Sequence, residues 1–209
     1  MIWRWERPFA NSSPLRNPSK AMRKLTYGMM VSLDGFVARP DGALDWVLID
    51  EELHTFINNQ EREVGLYVYG RRLYETMRYW QTADQDPTIL DFEREFAHIW
   101  QAKPKIVFSS TLDTVEGNTT LVREDAVAEI RRLKQESGGV IDVGGATLAA
   151  ALIQHNLIDE YKLFLNPVIL GEGIPFLPPG VSTRNLRLVE TRPFQSGVVY
   201  LRYQMEQQA

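Results

Sequence analysis

Apolar residues change their rhythm along this chain, and each change predicts an element. Residues 25–31 are almost continuously apolar and run out into Ser32-Leu33-Asp34-Gly35, the pattern of a buried strand leaving a sheet. A loop with Pro40-Asp41-Gly42 follows, and Asp50 then stands where an N-cap belongs, ahead of Leu53, Phe56, Ile57 and Val64 on one helical face. Residues 66–69 form a short strand that passes through Gly70 into a helix over 71–79, after which Ile89, Phe92, Phe96 and Ile99 recur near helical spacing. Residues 105–108 read as a strand ending in Ser109-Ser110-Thr111. Ala126, Val127, Ile130 and Leu133 mark a further helix, with Gly138-Gly139 expected as its C-cap before a strand over 140–143. Beyond the next helix, residues 161–170, 186–190 and 198–205 are rich in strand formers with no helix between them. Alternating β and α followed by a β-rich tail predicts an α/β domain with a mostly parallel sheet and antiparallel strands at its end.

The most informative stretch is Ile141-Asp142-Val143-Gly144-Gly145-Ala146-Thr147-Leu148. It reads as strand, glycine turn and helix, since Leu148, Leu152, Ile153 and Leu157 continue at helical spacing. Glycines there let the backbone approach a ligand, and the free N–H groups of a first helical turn suit a phosphate or pyrophosphate. An ordinary tight turn would look the same.

Composition narrows the classes. At 209 residues and 44% apolar content the chain suits one domain, and a net charge of −4 gives neither a basic footprint for nucleic acid nor a basic helix for a membrane surface. Absence of an 18-residue apolar run and of a signal-type N-terminus predicts a cytoplasmic protein. Cysteine is missing, and His54, His98 and His155 stand without a second histidine at ligand spacing, which argues against thiol and metal catalysis. Residues 1–23, with Asn11-Ser12-Ser13-Pro14 and no periodicity, are expected to be an arm that is either flexible or docked through Trp3, Trp5 and Phe9 on a partner subunit, ahead of a single domain over 24–209. Met22 is a second candidate for the natural start.

Three junctions thus end strands in donor-rich or small residues: Gly70-Arg71-Arg72, Ser109-Ser110-Thr111 and Gly144-Gly145-Ala146-Thr147. In an open α/β sheet ligands bind outside the carboxyl ends of strands, so the three are expected to converge on one ligand with several phosphates. Arg71 and Arg72 offer permanently charged forks, the hydroxyl triplet offers donors, and the glycine turn offers backbone N–H groups.

Five segments, in this order, resemble the dihydrofolate reductase superfamily: Met30-Val31-Ser32-Leu33-Asp34-Gly35-Phe36-Val37-Ala38, Tyr69-Gly70-Arg71-Arg72-Leu73-Tyr74-Glu75-Thr76, Ile106-Val107-Phe108-Ser109-Ser110-Thr111-Leu112, Val143-Gly144-Gly145-Ala146, and Leu157-Ile158-Asp159-Glu160 with Asn166-Pro167-Val168-Ile169-Leu170-Gly171-Glu172-Gly173. Within that superfamily they are most similar to the reductase half of the bifunctional riboflavin-biosynthesis deaminase-reductase, over residues 24–204. The resemblance implies a three-layer α/β/α fold around a mixed, mostly parallel sheet of about eight strands, with NADPH across the strand ends. It also implies that Arg71 and Arg72 with Ser109, Ser110 and Thr111 surround the adenosine ribose and its 2′-phosphate. Gly70 opens that corner, Gly144, Gly145, Ala146, Thr147 and Leu148 hold the pyrophosphate, and Met30, Phe36 and Val37 lie near the nicotinamide. Trp46 with Asp50 and Glu51 falls where folate-reducing relatives place a tryptophan and the carboxylate that binds the pterin. Here it departs from the pattern, as Asp45-Trp46 replaces a proline-flanked tryptophan and the acidic Asp50-Glu51-Glu52 stands where the riboflavin-pathway enzymes carry a basic segment.

The expected activity is transfer of a hydride from NADPH to a small heterocyclic or carbonyl-type substrate, nominally the ribosylamino-pyrimidine of riboflavin synthesis. Dihydrofolate reductase-type pterin reduction, a non-catalytic NADP(H)-binding module and a purely structural oligomer are the alternatives. Asp34 and Glu51 are the catalytic candidates, Asp34 being equally readable as the acceptor of an Asp-Gly turn. Trp46, Asp50 and Glu172 are the substrate candidates, no metal is expected, and the β-rich tail predicts a homodimer.

Overall fold

The computed structural model describes residues 22–206. In chain order its strands are β1 (Leu25–Ser32), β2 (Phe36–Ala38), β3 (Val64–Gly70), β4 (Lys105–Phe108), β5 (Thr119–Val122), β6 (Val140–Gly144), β7 (Glu160–Asn166), β8 (Ile174–Pro175), β9 (Leu186–Pro193) and β10 (Val199–Met205). The helices are α1 (Glu51–Glu61), α2 (Arg71–Met77), α3 (Asp91–Ala102), α4 (Ala126–Lys134) and α5 (Ala146–Gln154). The arm expected over 1–23 lies, except for its last two residues, outside the described residues; Arg23 is already tied to the domain, its N–H donating to Lys134 O at 2.9 Å.

Eight strands form one sheet in the order β5-β4-β3-β6-β1-β7-β10-β9. All neighbours from β5 to β7 are parallel, and β10 and β9 close the far side antiparallel. This is the mixed sheet of about eight strands that the resemblance implies, with the antiparallel C-terminal part that the pattern of the chain predicts. The chain steps outward from β1 through β3, β4 and β5, then returns to insert β6 between β3 and β1 and to add β7 on the other side of β1. Right-handed crossovers running in opposite directions put their helices on opposite faces. Accordingly α4 and α5 cover Leu25, Tyr27, Val31, Val68, Ile141 and Val143, while α1 and α3 cover Tyr67, Tyr69, Val107, Phe164 and Tyr200.

The two faces differ in chemistry. Beneath α4 and α5 the side chains are chiefly aliphatic, and Leu25, Ile130, Ile141, Leu152 and Ile153 are fully buried, each contributing about 1.5–3 kcal/mol of transfer free energy. Beneath α1 and α3 they are aromatic and mixed with polar groups. There Asn58 is fully buried and donates to Phe92 O and Glu95 Oε2, both at 2.8 Å, and His54 lies between Trp80, Phe92 and Phe96.

Several expectations need correction. Val64 does not continue the face of α1; it opens β3, buried against Tyr67, Phe96 and Trp100. Gly138-Gly139 is no C-cap, because α4 ends with Gln135 in right-handed conformation. The pair instead admits a close approach of backbones: a Cβ on Gly139 would lie 3.1 Å from the Cα of Gly65, at a bulge in β3. The helix over 71–79 stops at Met77 and tightens into a 3₁₀ turn, Arg78–Gln81. The strand from Tyr161 ends at Asn166, before Pro167, which cannot donate to a ladder. Two features are absent from the sequence reading: the edge strand β5, and a small separate sheet in which β2 pairs antiparallel with β8. Each is four residues or fewer, too short to show a period. No described helix is long and apolar enough to cross a membrane.

Candidate functional site

The carboxyl ends of four adjacent strands, β4, β3, β6 and β1, open onto one cleft of about 560 Å³, reached by Phe108, Gly70, Gly145 and Met29 respectively. At an interstrand spacing of ~4.8 Å, four strands give it a length of roughly 14 Å. Two helices begin there. Gly145 caps α5 with φ +96°, a conformation a side chain would strain, and Gly145, Ala146, Thr147 and Leu148 all line the cleft. Gly70 caps α2, and Gly70, Arg71 and Arg72 line it too.

Neither helix start has a side-chain cap or an acid in its first turn. Elsewhere in the molecule the opposite holds. Asp50 Oδ1 accepts Leu53 N–H at 2.8 Å ahead of α1, Asp125 Oδ1 accepts Val127 N–H at 2.9 Å ahead of α4, and Glu93 Oε2 accepts Leu90 N–H at 3.1 Å at α3; all three first turns are acidic. Uncapped N–H groups at the positive end of a helix dipole and two guanidinium side chains are the chemistry that suits an anion.

The second strip of donors lies beside Arg71. Arg71 Nη1 donates to Thr111 Oγ1 at 3.2 Å, and Ser109 Oγ accepts Thr111 N–H and Leu112 N–H at 3.2 and 3.0 Å, which folds residues 109–112 into a turn. Arg123, just after β5, holds the back of that turn by donating to Leu112 O at 2.6 Å and Ser109 O at 3.4 Å. The sequence reading did not single out Arg123, because the strand that presents it was not legible.

Gly144 and Gly145 do different things. A Cβ on Gly144 would come within 2.3 Å of Leu73 Cδ2 and 3.1 Å of the Tyr69 ring, so its bareness lets α2 pack against β6; it is not among the residues lining the cleft. Alternation along β1 separates another pair. Met29 lines the cleft, whereas Met30 points to the other face, among Leu53, Phe56 and Phe164. Val37 lines the cleft and Phe36 does not; Phe36 pairs with Pro175 in the small sheet. Leu44, Phe108 and Ile174 also line the cleft, Phe108 at its β4 end; Leu44 and Ile174 carry no signal in the sequence, since one sits in a loop and the other in the two-residue β8.

The catalytic and substrate candidates lie outside this cleft. Asp34 is held in the turn after β1, where its carboxylate takes Ser32 Oγ–H at 2.6 Å and Gly171 N–H at 2.7 Å, with Leu170 N–H at 3.1 Å. The Ser32 hydroxyl, then the two loop amides, hold it below the usual aspartate range, as a carboxylate that accepts and does not give up a proton near neutrality. Asp50 is occupied as the cap of α1. Glu51 lies in a separate depression between α1 and β9, beside Glu52 and Arg192, and Glu172 is exposed. Trp46 is buried, its Nε1–H without a partner among the described residues. No group of three or more metal-ligating side chains occurs among the described residues.

An eight-strand mixed sheet, helices on both faces and a strand-end cleft with bare helix starts define a dihydrofolate reductase-like fold. Enterococcus faecalis dihydrofolate reductase complexed with NADP(H) superimposes with a TM-score of 0.59 at 18% identity, over 88% of this chain and 97% of that one. A Shewanella sp. PV-4 protein assigned by its name to riboflavin biosynthesis gives a TM-score of 0.69 at 21% identity, over 88% of this chain and 99% of that one. Residues 23–200 match the model of the RibD C-terminal domain, and the chain belongs to that family. The Bacillus subtilis protein YyaP, itself uncharacterized, is 32% identical over 184 residues, 87% of this chain and 94% of its own length.

Proposed function

We propose that this protein is an NADPH-dependent reductase that delivers a hydride to a small heterocyclic or carbonyl-type substrate, nominally the ribosylamino-uracil phosphate reduced in riboflavin synthesis. The observation that carries the reading is the convergence of two uncapped, acid-free helix starts on one elongated cleft, with Arg71 on its wall and Thr111 behind Arg71 outside the lining. The donor set fits the cofactor in order. The N–H groups of Ala146, Thr147 and Leu148 hold the pyrophosphate, and Arg71, with Arg72 and the 109–111 turn, holds the 2′-phosphate. Met29, Val37, Ala38 and Ile174 supply the dry end where a nicotinamide ring would lie. NADPH bound there supplies the hydride; the chain's part is to orient, exclude water and fix distance. Membership of the RibD C-terminal domain family, and the NADP(H) held by the fold relative from E. faecalis, support the same reading.

Fluorescence titration with NADPH and NADH in parallel tests it. Wild-type protein should favour NADPH at least about tenfold, ~1.4 kcal/mol, and Arg71→Ala should erase most of that preference while leaving NADH affinity unchanged. Equal affinity for both cofactors in wild type would remove the 2′-phosphate assignment.

One observation favours a second reading, a nucleotide-binding module without turnover: Asp34 and Asp50 both spend their carboxylates on backbone N–H groups. Steady NADPH oxidation with any member of a panel of pterins, quinones, aldehydes and pyrimidines decides for the reductase. A homodimer is part of the proposal, since the edge strand β9 exposes Leu186, Leu188 and Val189 and, among the described residues, is paired only by β10. A sedimentation mass near one 24.0 kDa chain would refute it.

A further inference from the structure

The apolar end of the cleft is built on an element that should not stand by itself. β2 and β8 pair at only two positions, Phe36 with Pro175 and Ala38 with Ile174, and two-stranded sheets of this size are marginal in water. Pro175 also brings no N–H to the ladder. Yet this small sheet contributes Val37, Ala38 and Ile174 to the cleft.

What secures it is a network at its base, where the β1–β2 and β7–β8 connections meet from 136 residues apart in sequence. Phe36 N–H donates to Ser32 Oγ at 2.9 Å, and Ser32 Oγ–H donates to Asp34 Oδ1 at 2.6 Å. The Asp34 carboxylate then takes the N–H groups of Leu170 and Gly171 at 3.1 and 2.7 Å. Leu33 N–H to Val168 O and Phe176 N–H to Gly35 O, both 2.8 Å, continue the seam, and Tyr27 closes it from beneath by stacking on the Phe176 ring at 4.5 Å. Two side chains thereby satisfy three backbone donors from both loops, and charge-assisted bonds to an ionised carboxylate are the strong members of such a set.

We propose that Asp34 is a positioning residue: it clasps the two loops into one preformed flap that sets the wall against which the reactive ring of the cofactor rests. The role for the ring depends on the nicotinamide-cofactor reading above; the clasp does not. It follows that the flap is ordered in the cofactor-free protein, and that Asp34 shapes the site without exchanging a proton with substrate.

The test combines amide exchange with binding and turnover. In cofactor-free Asp34→Ala the amides of Leu170 and Gly171 should exchange about ten- to a hundredfold faster than in wild type, with global stability little altered. NADPH affinity should fall about tenfold, and Asp34→Asn, which keeps an acceptor oxygen, should recover part of both. The pH profile of turnover should keep its shape in Asp34→Asn. Unchanged exchange in Asp34→Ala would overturn the clasp; a lost limb of the pH profile would overturn the positioning role. Faster exchange in a protein that binds no NADPH even as wild type would sustain the clasp and remove the cofactor reading alone.

Discussion

Helices α1 and α4 start on aspartates and α2 and α5 on glycines, and the difference divides the molecule into surface and site. At α1 and α4 the orphan N–H groups are satisfied by the chain's own carboxylates, and Glu51, Glu52 and Glu129 add favourable charge to the dipole. At α5 and α2 the same groups are left bare over a cleft. A glycine in place of an aspartate at the N-cap costs a helix a few tenths of a kcal/mol. Two adjacent helices that forgo the aspartate at the same strand ends leave donors available to something from outside. The lesson is that an omission repeated in one place is a stronger pointer to a site than any single motif.

The sharpest way to break this comparison is to give α5 the acid it lacks. Thr147 is exposed in the second position of α5 and lines the cleft. Thr147→Glu should weaken NADPH binding at least about a hundredfold, ~2.7 kcal/mol, through repulsion of the phosphates. Its thermal midpoint should stay level or rise, since an acid in a first turn contributes about 0.3–1 kcal/mol. Ala128→Glu, at the exposed third position of α4, should give the stabilisation without the loss of binding. Full NADPH affinity in Thr147→Glu would separate the helix start from the cofactor.

Much of the frame could be read from the chain because its signals are local. Strand–glycine–helix junctions at Gly70 and Gly144-Gly145 announce themselves through a switch of period and a residue free of a side chain. The resemblance of the ordered segments carried the fold further, to the number of strands. What escaped depends on register and packing. Which of Met29 and Met30 faces the cleft turns on one position of alternation, and which of Gly144 and Gly145 lines it turns on where Leu73 lands. Arg123 could not be placed because β5 is an edge strand of four residues, and Leu44 and Ile174 because one sits in a loop and the other in a two-residue strand, neither long enough to show a period. Asp34 was legible both as a turn acceptor and as a catalyst; its partners Leu170 and Gly171 are remote in sequence.

A third kind of terminus extends the comparison. The last turn of α4 carries Arg131, Arg132 and Lys134, which suit the negative end of its dipole; the last turn of α1 has no base and ends on Glu61. Glu61 Oε2 is enclosed and has no hydrogen-bond partner among the described residues, and burial first, then the charge of Asp142, pushes its carboxyl up to about 7. The folded protein therefore keeps a proton there that the unfolded chain, with an ordinary glutamate near 4.5, has released. Stability from this group is complete below about pH 4.5 and is lost as pH rises toward 7. Glu61→Gln should raise stability at pH 8 by roughly 1–2 kcal/mol and leave it nearly unchanged at pH 4.5. Denaturant midpoints of the two proteins across this range check the sign, and equal pH slopes would show that the carboxyl is ionised when folded.

The smallest effect tests whether the capped helices are only structural. Asp125 accepts Val127 N–H ahead of α4, on the far side of β5 and β6 in the chain from any cleft residue. Asp125→Ala removes one cap and one favourable charge, and should cost about 1 kcal/mol of stability. Asp50→Ala should cost the same at α1, because its carboxylate makes the equivalent bond to Leu53 N–H at 2.8 Å. Neither change should alter NADPH affinity, since neither residue borders the cleft. Only turnover can then tell the two apart. If Asp50 does no more than cap, both variants keep the wild-type rate at a temperature where both are folded. If its carboxylate also meets substrate, as the position resembling the pterin-binding acid implies, Asp50→Ala alone loses rate, and the division between capped and bare helix starts ceases to coincide with the division between scaffold and site.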